Sequence, residues 1–195
     1  MTWLPTKLTI EEFEARVRAY PWAGHCTEFH PHHTADYKHT WRGAESIKAI
    51  RKFHMETRGF RDMAQHATLD PNGEIWLGRD WNWAPASANG FNPETGRHWN
   101  GTDNRDRPFM TEIFANFEGD ATHEPDILEG KQRESLVRMI AAVQNHFALV
   151  PEAIRLHREM QATACPGKIS KNDLISSVHT YRFNRDPGAI TPPLV

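Results

Sequence analysis

The sequence predicts a single α/β domain, and three observations indicate this. The chain has 195 residues, a length at which one core buries most of the surface that the unfolded chain exposes. Hydrophobic residues make up 38% and charged residues 25%, which is typical of a globular domain. Segments of helical periodicity are interspersed with short β-favouring segments, and this order favours layers of helices packed on a sheet.

The first two helices are predicted by capping residues and by apolar spacing. Thr9 and Glu12 fit the T-x-x-E capping box, which predicts a helix over residues 9–19. Apolar residues recur at helical spacing over 44–58, and Gly59 suits the left-handed conformation past a helix end.

The middle of the chain has strand and turn signals. Residues 65–69 and 74–78 flank the turn sequence DPNG, which predicts a hairpin. Residues 81–108 are rich in Asn, Pro, Gly and Trp, a composition typical of a long functional loop. The apolar residues of 110–117 predict an inner strand.

The remaining segments predict two more helices and one more strand. The clearest helix covers 131–147, where apolar residues are spaced four, three and four apart. Residues 154–157 are a short strand candidate, and a final helix is expected near 170–177.

Charge, the N-terminus and cysteine usage limit the classes of partner and compartment. A formal net charge of −2 leaves no excess of Lys and Arg for a phosphate backbone, so nucleic acid is not expected as a partner. The first residues lack a secretion signal, and no apolar run has the ~18 residues of a membrane span, so we expect synthesis in the cytoplasm. The two cysteines, Cys26 and Cys165, are then expected to be free thiols or metal ligands, with a disulfide as the alternative.

Histidine and cysteine residues indicate a metal site. Histidines crowd residues 28–34, and His157 precedes Cys165 by eight positions. Catalytic zinc takes three protein ligands of this chemistry and keeps one position open. His32 or His33 with His157 and Cys165 would supply the three. The alternative is that the histidines are hydrogen-bonded structural residues and the cysteine a small buried apolar one.

Four segments in one consistent order resemble a known family of zinc amidases. They are the HHTA sequence at 32–35, a helix, turn and hairpin over 50–78, MTEIFANFEG at 110–119 and LHREMQATACPG at 156–167. The family includes phage lysozyme-type N-acetylmuramoyl-L-alanine amidases, peptidoglycan-recycling amidases and animal peptidoglycan recognition proteins. The resemblance covers roughly 28–168.

This resemblance implies a fold, a domain organisation and a ligand set. The fold would be a central mixed β-sheet flanked by helices, with an N-terminal helix and lead-in over 1–27, the zinc amidase domain over 28–180 and a tail over 181–195. One Zn²⁺ per chain would be held by His32, His157 and Cys165. His33 is the alternative first ligand, because adjacent residues of a strand point to opposite faces.

The resemblance also implies catalytic residues. Many members have a Tyr at the position of Gln65, which cannot titrate, whereas recycling-type members have a Glu in the central strand, where this chain has Glu112. Glu112 is therefore expected to be the general base and acid. Thr163 stands where many bacterial members have a Lys and would donate a hydrogen bond to the oxyanion. His66 is expected either to orient the substrate or to fill the strand.

The expected reaction is hydrolysis of the lactyl–L-Ala amide bond of bacterial peptidoglycan or muropeptides. Gln65, Trp83, Asn89 and Asn92 are the candidate substrate-binding residues, although structural roles for the tryptophans are an equal alternative. The enzyme would be a phage endolysin or a bacterial lytic or recycling enzyme, acting on the wall after release or on cytosolic muropeptides. A peptidoglycan-binding recognition module with little or no activity is the alternative function.

Overall fold

The structure, a computed structural model, describes residues 3–87, 91–92, 97–98 and 106–185. Four helices and seven strands lie within these residues. In chain order they are β1 Lys7–Leu8, α1 Ile10–Ala19, β2 His25–His33, α2 Ala44–Lys52, β3 Ala67–Leu69, β4 Ile75–Leu77, β5 Phe91–Asn92, β6 Arg97–His98, β7 Asp106–Ile113, α3 Gly130–His146 and α4 Lys171–Arg185. None of the helices in these ranges has the length and apolar character that crossing a membrane requires.

Five strands form one mixed sheet in the order β1-β4-β3-β7-β2. The pairs β1–β4 and β4–β3 are antiparallel, whereas β3–β7 and β7–β2 are parallel. The mixed sheet confirms the predicted fold class. Since β2 and β7 run in the same direction, their carboxyl ends share one edge of the sheet, and the register places His32 beside Glu112 there.

Helices cover both faces of the sheet. On one face α3 packs against β2, β3, α1 and α4, and the main core lies between these layers. Its fully buried side chains include Phe13, Phe29, Phe109 and Leu136. On the other face α2 contributes Ile47 and Ile50 to a second apolar cluster.

The first helix begins as predicted. Thr9 is its N-cap, and its Oγ1 accepts the backbone N–H of Glu12 at 3.2 Å. The Glu12 carboxylate in turn accepts the backbone N–H of Thr9 at 2.7 Å. The capping box satisfies two backbone donors that a helix start leaves without partners.

The second predicted helix changes type before it ends. Its α-helical part stops at Lys52, and residues Phe53–Thr57 form a π-helical turn. Gly59 follows with a φ of +69°, the conformation expected past a helix end. Single π-helical turns are frequent at functional sites, and this one carries the buried His54.

Two strand predictions differ from the structure. The strand expected at 110–117 lies at Asp106–Ile113, because the sequence after Ile113 leaves the sheet while remaining buried. The strand expected at 154–157 is reduced to one bridge between Phe29 and Ile154. A 3₁₀ turn begins directly afterwards at His157, so the chain bends before it can pair further.

The final helix extends beyond its expected end at residue 177 and runs to Arg185. Residues 181–185 of the predicted tail are therefore helical, and residues 186–195 lie outside the described residues. Arg182 explains the extension, because its buried guanidinium donates to Gln144 Oε1 at 3.2 Å and to the carbonyl of Leu149 at 2.9 Å.

Candidate metal centre

Three side chains predicted as ligands lie together at the carboxyl edge of the sheet. His32, His157 and Cys165 each offer one ligand atom, and these atoms lie within 4.8 Å of one another. Cys165 Sγ is 3.6 Å from His32 Nδ1. The rings of His32 and His157 have their centroids 4.4 Å apart.

The loop that carries Cys165 is fixed by Arg158. Its backbone N–H donates to the carbonyl of Cys165 at 2.9 Å. Its guanidinium donates to the carbonyls of Gly167 and Ile169, each at 2.6 Å. His157 precedes Arg158 directly, so the same residue ties both ligand candidates of this segment together.

The adjacent histidines of β2 point to different surroundings. His33 Nδ1 accepts the backbone N–H of Phe117 at 3.2 Å. The His33 ring stacks on the Phe117 ring with 6.2 Å between the ring centroids. The backbone N–H of His33 donates to Cys165 Sγ at 3.4 Å. The cluster therefore contains the His32 side chain but only the backbone of His33, which favours His32 over His33.

The cluster fits a zinc ion. Zn–N and Zn–S bonds of roughly 2.0–2.3 Å in a tetrahedron put neighbouring ligand atoms about 3.3–3.8 Å apart, and the distance between His32 Nδ1 and Cys165 Sγ falls in this range. His157 Nε2 is buried and has no hydrogen-bond partner among the described residues. An orphaned buried nitrogen beside a thiol and a second imidazole is the donor set of such an ion.

Burial sets the protonation of the cluster. It lowers the pKa of His32 well below its usual value, with His157 adding to the effect, and it lowers the pKa of His157. Both imidazoles are therefore neutral and able to ligate. Burial raises the pKa of the Cys165 thiol to about 12, so metal binding there must displace a proton.

A cleft of about 800 Å³ opens onto the cluster. The three ligand candidates line it together with Glu112, Thr163 and His54. Glu112 is only 8% exposed. Burial, assisted by the charge of Asp36, raises the pKa of its carboxyl to about 8, which places a carboxyl able to gain or lose a proton near neutral pH in the cleft.

Sequence reasoning missed His54, which is the neighbour of Glu112. His54 Nε2 lies 3.5 Å from Glu112 Oε1, and His54 Nδ1 accepts the backbone N–H of Ala64 at 3.2 Å. Burial lowers the pKa of His54 to about 4, so the two side chains form a neutral pair and not an ion pair. The sequence pattern that could have identified His54 is its helical spacing from Ile47 and Ile50, which places it on the same face as these apolar residues.

Thr163 is the residue predicted to donate to the oxyanion. It lines the cleft, and its Oγ1 accepts the backbone N–H of Cys165 at 3.2 Å. Because that bond uses an oxygen lone pair, the hydroxyl hydrogen remains able to donate.

Gln65, His66 and Trp83 do not line the cleft in the part of the chain that the structure describes. Gln65 is fully buried, and its Nε2 donates to Thr68 Oγ1 at 2.8 Å. His66 Nδ1 accepts the N–H of Met110 at 3.1 Å, and its Nε2 bonds the carbonyl of Trp83 at 2.8 Å. With both ring nitrogens bonded to the backbone, His66 fills the sheet and holds a loop, which favours the second of the two roles expected for it.

The remaining predicted residues are Asn89, Asn92, Trp83 and the two cysteines. Asn89 lies outside the described residues, and Asn92 is described only as a strand residue paired with Arg97. Trp83 is 43% exposed; it lies under the guanidinium of Arg61, 4.7 Å from the ring centroid. Cys26 and Cys165 are both free thiols.

Comparison with known proteins supports the same fold. No protein-family model matches the chain. It is 23% identical over 142 residues to an N-acetylmuramoyl-L-alanine amidase of Sus scrofa, a match that covers 72% of this chain and 20% of the relative. The chain thus spans about a fifth of the length of this curated relative.

Solved structures show the fold more completely. The N-acetylmuramoyl-L-alanine amidase LysC from Clostridium intestinale has a TM-score of 0.59 at 18% identity, with 82% of this chain and 93% of that chain covered. The endolysin of Thermus scotoductus bacteriophage Ph2119 gives 0.57 at 18% identity, with 83% and 94% covered. Drosophila PGRP-LB in complex with tracheal cytotoxin gives 0.56 at 17% identity, with 80% and 83% covered.

Proposed function

We propose that this chain, which has the fold shared by N-acetylmuramoyl-L-alanine amidases and peptidoglycan recognition proteins, is a zinc-dependent amidase. The substrate bond is the amide between the lactyl group of N-acetylmuramic acid and the L-Ala of the stem peptide. The observation that carries this proposal is the group of His32, His157 and Cys165, which lines a cleft together with Glu112.

The metal ligands are His32, His157 and Cys165, one zinc ion per chain. Bound zinc would act there as a Lewis acid on the scissile carbonyl and on water. The protein holds three ligands and leaves the cleft side open to the substrate, as catalytic sites require.

Glu112 is the general base and then the general acid. Its carboxylate takes a proton from the attacking water and returns it to the departing amine of L-Ala. The parallel register beside His32 supports this role, because it places the carboxyl group at the same sheet edge as the ligand cluster. The raised pKa of Glu112, about 8, supports it as well, since both protonation states are populated near neutral pH.

His54 and Thr163, which both line the cleft, assist the reaction. The Nδ1 of His54 accepts a backbone N–H, so its proton lies on Nε2 and faces Glu112 Oε1. This donor fixes the orientation of the carboxyl group. The Thr163 hydroxyl donates to the oxygen on which negative charge develops when the amide is attacked.

The partner is bacterial peptidoglycan or muropeptides released from it. We place the catalytic unit in residues 28–180, with the segment 1–27 packed on it through α1. Endolysins among the structural neighbours support action on the cell wall after release, and cytosolic muropeptides are the second substrate class.

Digestion of purified sacculi tests the proposal. Zinc-loaded protein is expected to release stem peptides with a free L-Ala amine and to leave glycan strands without peptide, both identified by mass spectrometry. Cys165→Ser is expected to release none. Cys26→Ser is the matched control, because it replaces the other free thiol and is expected to behave as the parent.

The same assay separates the alternative function. A recognition module would bind sacculi in a pull-down and release no stem peptide even when loaded with zinc. Cleavage of a different bond, seen as peptides that retain the sugar, would assign another hydrolase activity and overturn the proposed one.

A further inference from the structure

A row of hydrogen-bonded side chains leads away from His32 on the side opposite the ligand cluster. His32 Nε2 lies 3.1 Å from Ser87 Oγ, and Ser87 Oγ lies 2.7 Å from His30 Nδ1. His30 Nε2 lies 2.8 Å from Glu28 Oε2. His30, His32 and Ser87 are all buried, so water does not compete for these bonds.

Strand geometry and one anchored loop bring the row together. Glu28, His30 and His32 alternate along β2, and residues two apart share a face of a strand. Ser87 comes from the loop that His66 holds through the carbonyl of Trp83. Loop anchoring is completed by the N–H of Ala86, which donates to the carbonyl of residue 64 at 2.9 Å.

The ligand end fixes the direction of every bond. If His32 presents the Nδ1 lone pair to a metal, its proton lies on Nε2 and is donated to Ser87 Oγ. The one hydroxyl hydrogen of Ser87 must then go to His30 Nδ1. His30 therefore carries its own proton on Nε2 and donates it to Glu28.

The surroundings of Glu28, at the other end of the row, require the same hydrogen-bond direction. Arg155 holds both oxygens of Glu28, with Nε at 3.0 Å from each and Nη2 at 2.6 Å from Oε1. The backbone N–H of Arg155 donates to the carbonyl of Phe29 at 3.0 Å, which holds this residue beside β2. An ionised carboxylate only accepts, so it takes a hydrogen from His30 Nε2.

We propose that Glu28, His30 and Ser87 are positioning residues that fix the ring and the Nε2–H tautomer of His32, so that its Nδ1 faces the metal. This inference rests on the proposed function, in which His32 is a ligand. A carboxylate at the end of such a row also makes the ligating nitrogen a stronger donor, as the outer partners of metal-bound histidines do elsewhere. None of the three lines the cleft in the part of the chain that the structure describes.

Zinc affinity of Ser87→Ala is the first test. Loss of such an outer partner typically weakens metal binding about 10- to 100-fold, and we expect that fall in a competition with a chromophoric chelator. Ser135→Ala is the matched control, since it also removes a buried serine hydrogen bond, to the carbonyl of Gly73 at 2.8 Å. Equal affinities of the two variants would overturn the proposal.

Histidine tautomers in the metal-free protein are the second test, read from long-range ¹H–¹⁵N spectra. The parent is expected to show His32 with its proton on Nε2, and Glu28→Gln is expected to lose this single tautomer. Glu14→Gln, which alters another buried carboxylate paired with an arginine, should keep it. A parent in which His32 carries its proton on Nδ1 would exclude the proposed positioning role.

These measurements separate the two levels of the account. Zinc binding that depends on Cys165 but is unchanged in Ser87→Ala refutes the positioning role of Glu28, His30 and Ser87 and leaves the amidase proposal standing. A parent that binds no zinc refutes the amidase proposal. The tautomer of His32 then tests by itself whether the hydrogen-bonded row fixes the proton on Nε2.

Discussion

Cys165 Sγ lies 3.6 Å from His32 Nδ1, although 133 residues separate them in the sequence. The contact joins the carboxyl end of β2 to the loop that Arg158 pins. Because a distance of this size suits two ligands of one tetrahedral ion, it links the fold directly to the proposed chemistry.

Glu112→Gln is expected to keep its zinc and lose turnover by at least about 100-fold, because general acid and base catalysis typically contributes about 10²–10⁴. The amide has the shape of the carboxyl group but does not titrate. Rates on muropeptides and zinc content measured together check this. Glu118→Gln, a cleft carboxylate that is exposed, is the control expected near the parental rate. A fully active Glu112→Gln would reassign the base.

Thr163→Val is expected to lower kcat by about 10²–10³, the usual effect of removing one oxyanion donor. Thr163→Ser should restore most of it, since serine keeps the hydroxyl. Zinc content must be followed in both, because Thr163 also accepts the N–H of Cys165. Equal kcat values for the valine and serine variants would show that the hydroxyl does not act on the substrate.

Gln65→Ala is expected to act on stability and not on catalysis. The side chain is fully buried and donates to Thr68 Oγ1, so its removal leaves a buried hydroxyl unpaired, at a typical cost of about 1–3 kcal/mol in the free energy of unfolding. Denaturant unfolding measures the loss. Turnover per folded molecule should stay within about threefold of the parental value. A large loss of turnover at unchanged stability would show that Gln65 acts on the substrate.

The three ligand candidates could be named from the sequence because they lie in short motifs whose order and spacing resemble those of the zinc amidases. The choice of His32 over His33 followed from strand alternation, once the surroundings of each ring were known. Helix α1 was predictable for a similar reason, since Thr9 and Glu12 cap it locally.

The residues that sequence could not place have surroundings that come from distant segments. Gln65 and His66 adjoin β3, an inner strand of the sheet, and both are buried away from the cleft in the part of the chain that the structure describes. His54 was missed because its partner Glu112 comes from another element. Ser87 was missed because only the folded loop brings it to His32.

Glu28 predicts how stability depends on pH. Burial opposes its ionisation, but the hydrogen bonds from His30 and Arg155 outweigh this and lower its pKa from 4.5 to about 2. A lowered carboxyl pKa adds stability above the unfolded-state value, and this stability is lost as pH falls from about 4.5 towards about 2. Thermal unfolding across this window should show a steeper decline for the parent than for Glu28→Gln; parallel curves would mean that Glu28 does not supply the stability.

Metal analysis of the purified protein measures whether the cluster of His32, His157 and Cys165 binds zinc. We expect one zinc ion per chain in the parent and in Cys26→Ser, and none in Cys165→Ser whose circular dichroism shows a folded chain. Zinc retained at full stoichiometry by a folded Cys165→Ser, or absent from a parent purified and dialysed with zinc, would contradict it.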